Sequence, residues 1–300
     1  MDNLTHSLVG ALLGQAGLKK KTGLAMPALI IGANLPDVDA ACFFWLEGQE
    51  HLGFRRGITH GPPALVLLPL ILAGLLWGFD RWQTKRGKRP EDRLPVNFKW
   101  LFALSFIGCL SHPALDWLNV YGIRFLEPFS SQWFYGDTLF IIDIWLWLLM
   151  GFATWFSLRR EKSGGNWKRP ARIALIVSLL YIGVNWVGTT YRELTAPRQP
   201  AIASPMPLIP WEREIIEAQL PGVWLIDGVK VGQCELAPAY AGAVGNSEAE
   251  AFLFWTRAPF AERAEDGSVI LRDARFYDPS ARDRFSIALP NVECVELPGQ

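Results

Sequence analysis

Histidine and carboxylate side chains interrupt otherwise apolar stretches of this chain, and their types and spacing are those of a metal centre. His112 and Asp116 stand four residues apart, on one face of any helix, inside the apolar run Trp100 to Val120. An imidazole and a carboxylate withdrawn from water need each other or a cation. Asp37 and Asp39 lie in Asn34-Leu35-Pro36-Asp37-Val38-Asp39, and His60 closes Arg55-Arg56-Gly57-Ile58-Thr59-His60. His6 sits near the start of the chain, and Asp137 and Asp143 bracket the beginning of a later apolar run. Mixed imidazole and carboxylate ligands suit zinc, manganese or iron better than calcium or magnesium, and the surplus of carboxylates is compatible with one or two ions. His6, Asp37, Asp39, His60, His112 and Asp116 are the candidate ligands, with Asp39 a further ligand or the general base. Arg55 and Arg56 have the guanidinium geometry to hold an anionic, phosphate-like group. Plainer roles exist for some of these: His6 as a polar residue at a helix end, Asp37 and Asp39 as residues that end a helix at Pro36. His51 reads as an ordinary loop histidine.

These residues need elements to position them, and the composition points to a membrane. Half of the 300 residues are hydrophobic, and 29 basic residues balance 29 acidic ones, so nothing in the overall charge suggests a nucleic-acid partner. Three apolar runs have the length of about 20 residues that crosses a bilayer: Gly61 to Phe79, Leu139 to Leu158 and Ala171 to Tyr191. Leu24 to Leu46 and Trp100 to Val120 are apolar runs with polar interruptions, and Leu4 to Leu18 is a short sixth candidate. Several of the 14 tryptophans fall near the ends of these runs, where indole favours the headgroup region. The stretch before His6 lacks the basic flank and cleavage site of a signal peptide, so the first helix is expected to be retained.

Charge sets the orientation. Arg81, Lys85, Arg86, Lys88, Arg89, Arg93 and Lys99 fill one connection, and Arg159, Arg160, Lys162, Lys168, Arg169 and Arg172 fill another; the positive-inside rule makes both cytoplasmic. About six crossings follow, and every candidate ligand falls at the opposite, extracytoplasmic face. Pro197, Pro200, Pro205, Pro207 and Pro210 then mark an extended linker, and the tail beyond it is placed outside. In that tail, Val223 to Ile226, Phe252 to Trp255 and Ser268 to Leu271 read as strands, with Asp227-Gly228 and Asp266-Gly267 as hairpin turns. The expected fold is an all-α polytopic membrane domain of about six helices (1–192), a Pro-rich linker (193–210) and a small mainly-β extracytoplasmic domain (211–300). None of the four cysteines forms a close-spaced motif; Cys42 and Cys109 fall in apolar helices, whereas Cys234 and Cys294 share the tail and are expected to pair. That bridge would stabilise the tail by roughly 4 kcal/mol in the chain-entropy treatment.

Asp2-Asn3-Leu4-Thr5-His6-Ser7, Asn34 through Asp39, Arg56-Gly57-Ile58-Thr59-His60, Ser111-His112-Pro113-Ala114-Leu115-Asp116-Trp117 and Phe134-Tyr135-Gly136-Asp137 through Trp147 resemble, in the same order, the YdjM family of LexA-regulated, membrane-bound, predicted metal-dependent hydrolases. The resemblance spans roughly residues 1 to 160. It implies an inner-membrane location, a bound divalent metal and hydrolysis, with His6, Asp37, Asp39, His60, His112 and Asp116 at the polar motif positions. Relatives carry a histidine before the Arg-Gly of the third block, where this chain has Arg55, which implies one ligand or proton carrier fewer. A lipid or lipid-linked phosphoester is the substrate expected at that surface. The competing expectations are a metal-binding or metal-transporting membrane protein without hydrolytic activity, and a scaffold whose polar residues only join helices. A transporter needs polar groups through the whole bilayer depth, and here they crowd one face, which favours the enzyme.

Overall fold

The computed structural model describes residues 1–278 and 282–297. In chain order the helices are α1 (Asn3–Gln15), α2 (Ala25–Gly32), α3 (His51–Phe54), α4 (Pro62–Lys85), α5 (Phe98–Trp117), α6 (Ile144–Lys162), α7 (Lys168–Thr195), α8 (Leu236–Ala243) and α9 (Ser247–Trp255). The strands are β1 (Ala201–Pro205), β2 (Arg213–Leu220), β3 (Val223–Ile226), β4 (Val229–Val231), β5 (Pro259–Arg263), β6 (Ser268–Asp273) and β7 (Ser286–Glu293). Two compact units result. The first comprises Met1–Val38, Arg56–Trp186 and Pro207–Pro210; the second comprises Asp39–Arg55, Val187–Met206 and Trp211–Gln300.

In the first unit, α4, α5 and α7 are long and apolar enough to cross a membrane, and the bent pair α2 plus the 3-10 segment Leu35–Phe44 adds a fourth candidate. The expected run Leu24 to Leu46 is therefore two pieces bent by 51°. Pro36 explains the break, since it has no N–H to continue the ladder and disfavours helical geometry at Leu35. The run Leu4 to Leu18 yields the short α1, begun by Asp2, whose carboxylate accepts from the N–H groups of Leu4 and Thr5. The run starting at Leu139 becomes helical only at Ile144, where Asp143 caps α6 by accepting from Leu146 N–H. Large apolar side chains stay exposed along α4 and α7, among them Leu75, Leu179 and Val184, as helices apolar enough to cross a membrane require, and α6 exposes Leu148 and Phe152 as well.

Close backbone approach holds the inner helices together. A Cβ at Gly10 of α1 would stand 2.8 Å from the Leu29 carbonyl oxygen of α2, and one at Gly108 of α5 would stand 2.6 Å from that same oxygen. Gly32 of α2 meets the Ser105 carbonyl of α5 in the same manner. Small residues let helix backbones touch where lipid gives no hydrophobic drive to association. Leu29, Ala28, Leu101 and Leu104 fill the space around these crossings. As a result α2 is pinned between the helices that carry His6 and His112.

The second unit holds two antiparallel sheets, β1-β2-β3-β4 and β5-β6-β7, with α8 and α9. Strand β1 lies within the stretch expected as a linker and pairs Ile202 with Ile216. Asp227-Gly228 makes the two-residue turn between β3 and β4, both residues at positive φ, as the mirror-image hairpin turns require. Phe252 to Trp255, expected as a strand, is instead the end of α9. Asn246 caps that helix and Glu248 and Glu250 fill its first turn, signals that outweigh the aromatic run's β preference. Phe252, Trp255 and Phe260 are fully buried in this unit. Cys234 and Cys294 form a disulfide, their Cα atoms 5.2 Å apart, while Cys42 and Cys109 are free and buried. The segment Asp39–Arg55 packs here: Gln49 N–H donates to Glu248, and a Cβ at Gly53 would lie 3.2 Å from that of Ala251.

Two outcomes follow. Gly108→Ala must part α2 from α5 and is expected to destabilise the protein by about 1–3 kcal/mol, read as a lower Tm in detergent. Gly151→Ala is the control, because nothing lies within 4 Å of its added Cβ; equal melting of the two variants would refute the close-packing account. In the second unit, burial and the nearby carboxylates of Asp227 and Asp278 raise the Glu214 carboxyl to about 7 from 4.5. Folding then favours the protonated acid, so its contribution is complete below about pH 4.5 and is lost as pH rises through about 7. The Tm of Glu214→Gln relative to the parent should accordingly climb between pH 4.5 and 7 and level off above; a pH-independent difference would contradict the assignment.

Candidate metal centre

Three chain segments converge on one buried cluster in the first unit. Helix α5 supplies His112 and Asp116 from one face, the bend after α2 supplies Asp37, and the 3-10 turn Ile58–His60, just ahead of α4, supplies His60. His60, His112 and Asp116 are buried, and Asp37 is nearly so. One ligand atom from each of these four residues lies within 4.8 Å of the other three. His112 Nε2 lies 3.5 Å from Asp116 Oδ2 and 3.7 Å from Asp37 Oδ1, and His60 Nε2 lies 3.5 Å from the same Asp116 oxygen. Metal–ligand bonds of about 2.0–2.2 Å in a tetrahedron put ligand atoms roughly 3.4 Å apart, and these three separations lie close to that value.

The broken helix also sets the ring chemistry. Asp37 N–H donates to the Asn34 carbonyl, and the Ala33 carbonyl one step earlier accepts from His112 Nδ1 at 2.7 Å. With the proton on Nδ1, the lone pair of His112 sits on Nε2, the nitrogen that faces Asp37 and Asp116 and has no hydrogen-bond partner. His60 Nδ1 lies 2.9 Å from Thr59 Oγ1, and its Nε2 faces Asp116.

Around the four stand His6 and Arg56. The His6 ring stacks on His112 with centroids 3.8 Å apart, and its Nε2 is 3.3 Å from Oδ1 of Asp116, the oxygen on the opposite side of that carboxylate from His60 and His112. The N-terminal amine contacts Oδ1 as well. Arg56 brings Nε to 3.1 Å from Asp116 Oδ2, donates from Nη1 to Asn119 Oδ1 at 2.9 Å, and lies over the Tyr121 ring. Its backbone is left-handed, φ 55°, a conformation that costs free energy in a residue with a side chain and is held here by these contacts. The sequence singled out Arg56 as an anion binder, and the structure places its guanidinium against Asp116. Asn119, Tyr121 and Gly122, which surround it, escaped the sequence reading; the polar Asn119 three residues beyond Asp116, with Tyr121-Gly122 following Val120, was the available signal.

The remaining candidates fall elsewhere. Asp39 is buried and sits 3.5 Å from Arg55 Nε, both in the second unit, where Arg55 also lies over Phe43. Asp143 caps α6 and accepts from the Tyr181 hydroxyl at 2.8 Å, a structural role. Asp137 is buried at positive φ. His51 Nδ1 faces the Gly48 carbonyl at 2.9 Å, as a loop histidine would.

His112→Ala and Asp116→Asn should each lower the divalent metal bound per protein at least tenfold while membrane insertion persists, since even outer groups of a metal site alter affinity by about 10–100-fold. Elemental analysis of protein purified in mild detergent reads this out. His51→Ala serves as the control, and unchanged metal content in both site variants would sink the assignment.

In a comparison with known families, residues 1–191 fit the family described as YdjM inner membrane protein, a span that extends past the motif blocks to include most of α7. No curated protein and no solved structure matches.

Proposed function

The chain belongs to the YdjM inner membrane protein family, and from that premise we propose that it is a metal-dependent hydrolase of the extracytoplasmic membrane surface, acting on a lipid or lipid-linked phosphoester. The observation that carries this reading is the convergence of Asp37, His60, His112 and Asp116, one ligand atom of each within 4.8 Å of the others, in a buried setting. When bound, a divalent ion supplies Lewis-acid polarisation of a phosphoryl or acyl oxygen near neutral pH, and zinc, manganese or iron suit this donor set.

The chain's own residues do the rest. Ala33 O fixes the His112 tautomer, Arg56 balances the Asp116 charge and holds its carboxylate plane, and His6 flanks the second Asp116 oxygen. With these side chains prepositioned, little reorganisation accompanies loading of the site.

Orientation rests on charge and redox. The cluster forms where α4 begins and α5 ends, and the basic connection Arg81 to Lys99 joins the other ends of these two helices, which supports a site on the outer face of about six crossings. The Cys234–Cys294 disulfide supports an oxidising, extracytoplasmic location for the C-terminal unit.

Two measurements test the proposal. Reporters placed at Lys88 and behind the C-terminal unit should behave as cytoplasmic and extracytoplasmic; the reverse would put the site on the inner face. Purified protein should release nitrophenol from a nitrophenyl phosphodiester or carboxylic ester, lose that activity to a chelator and to Asp116→Asn, and regain it with zinc or manganese. Stoichiometric metal without turnover of either probe would overturn the hydrolase assignment.

A further inference from the structure

At the end of the first unit remote from the metal cluster, α6 and α7 leave a groove of about 410 Å³ between them, within the roughly 300–1,000 Å³ range of ligand pockets. Phe152, Ala153 and Phe156 line it from α6 and Ile173 and Ala174 from α7, and Arg160 and Arg169 join the lining where the two helices approach their connecting turn. Phe152 and Ile173 are 63% and 49% exposed, so the groove opens outward from the helix bundle toward hydrocarbon. We propose that this groove binds one anionic phospholipid of the surrounding membrane, its acyl chain along the apolar walls and its phosphodiester between Arg160 and Arg169.

Charge complementarity selects that occupant. Most other charges here are already engaged: Lys19 pairs with Glu161, Arg172 donates to the Ala16 carbonyl, and Lys168 lies over the Trp167 ring. Among the described residues, no carboxylate pairs with Arg160 or Arg169, and Arg160 lies over the Phe156 ring of the groove wall, 5.3 Å from its centroid. Two guanidinium groups at one end of an apolar trough match a molecule with an anionic head and an apolar tail. A soluble anion would leave the trough uncovered, and a zwitterionic lipid brings no net charge to the arginines. The site is independent of the hydrolytic reading, since it lies at the opposite end of the unit and needs no metal.

Native mass spectrometry of the full chain in mild detergent, titrated with dioleoylphosphatidylglycerol or dioleoylphosphatidylcholine, decides the matter. The parent should retain the anionic lipid preferentially, and the double variant Arg160→Gln/Arg169→Gln should bind it roughly tenfold more weakly. Arg159→Gln/Lys162→Gln removes the same charge outside the groove and should retain the preference. All four side chains are exposed, so folding is not at stake. Equal loss in both double variants would mean diffuse attraction to a basic surface and would overturn the site, as would absence of any preference in the parent.

Discussion

A carboxylate buried among apolar helices has few ways to remain, and Asp116 shows how much structure such a group demands. Taking an ion out of water costs several kcal/mol even after relaxation, and only well-placed countercharges and donors offset it. Here Arg56, the N-terminal amine and the imidazoles of His6, His60 and His112 all gather round one side chain. The left-handed backbone at Arg56 and the loop carrying Asn119 and Tyr121 make sense as consequences, because both serve to bring a guanidinium to that carboxylate. A scaffold role alone would need a partner for Asp116; it would not need three imidazoles with their Nε2 atoms directed at it.

Positioning falls to backbone features more than to side-chain packing. The interruption at Pro36 does two jobs: it turns Asp37 toward α5 and leaves the Ala33 carbonyl to accept from His112. The glycine contacts then hold α2 close enough to α1 and α5 for those few bonds to form. Each job depends on a residue defined by what it lacks, an N–H at Pro36 and a side chain at Gly10, Gly32 and Gly108.

What could be read from the sequence follows the same division. The His112 and Asp116 pair was legible because four-residue spacing within an apolar run has a direct geometric meaning, and the Cys234–Cys294 bridge was legible from shared placement in the tail. Arg56 marks the limit of such reading, because the sequence gives its chemistry without its neighbours and the fold sets the guanidinium against Asp116. Asp39, two residues from Asp37, looked equivalent to it, yet the chain leaves the first unit between them and Asp39 pairs with Arg55. Phe252 to Trp255 misled for another reason, since aromatic residues favour strands only where capping and first-turn charge do not already specify a helix.

The pinning of α2 bears on which cations the cluster accepts. Calcium takes roughly six to eight oxygen ligands at 2.3–2.6 Å in a loose shell, and magnesium keeps much of its water. The segments that carry Asp37, His112 and Asp116 are held at a fixed separation by the Gly32 and Gly108 contacts, which opposes such a shell. For an ion held here, selection would be partly mechanical: helix crossings a full turn or more from the ligands would resist the spreading that a calcium shell needs.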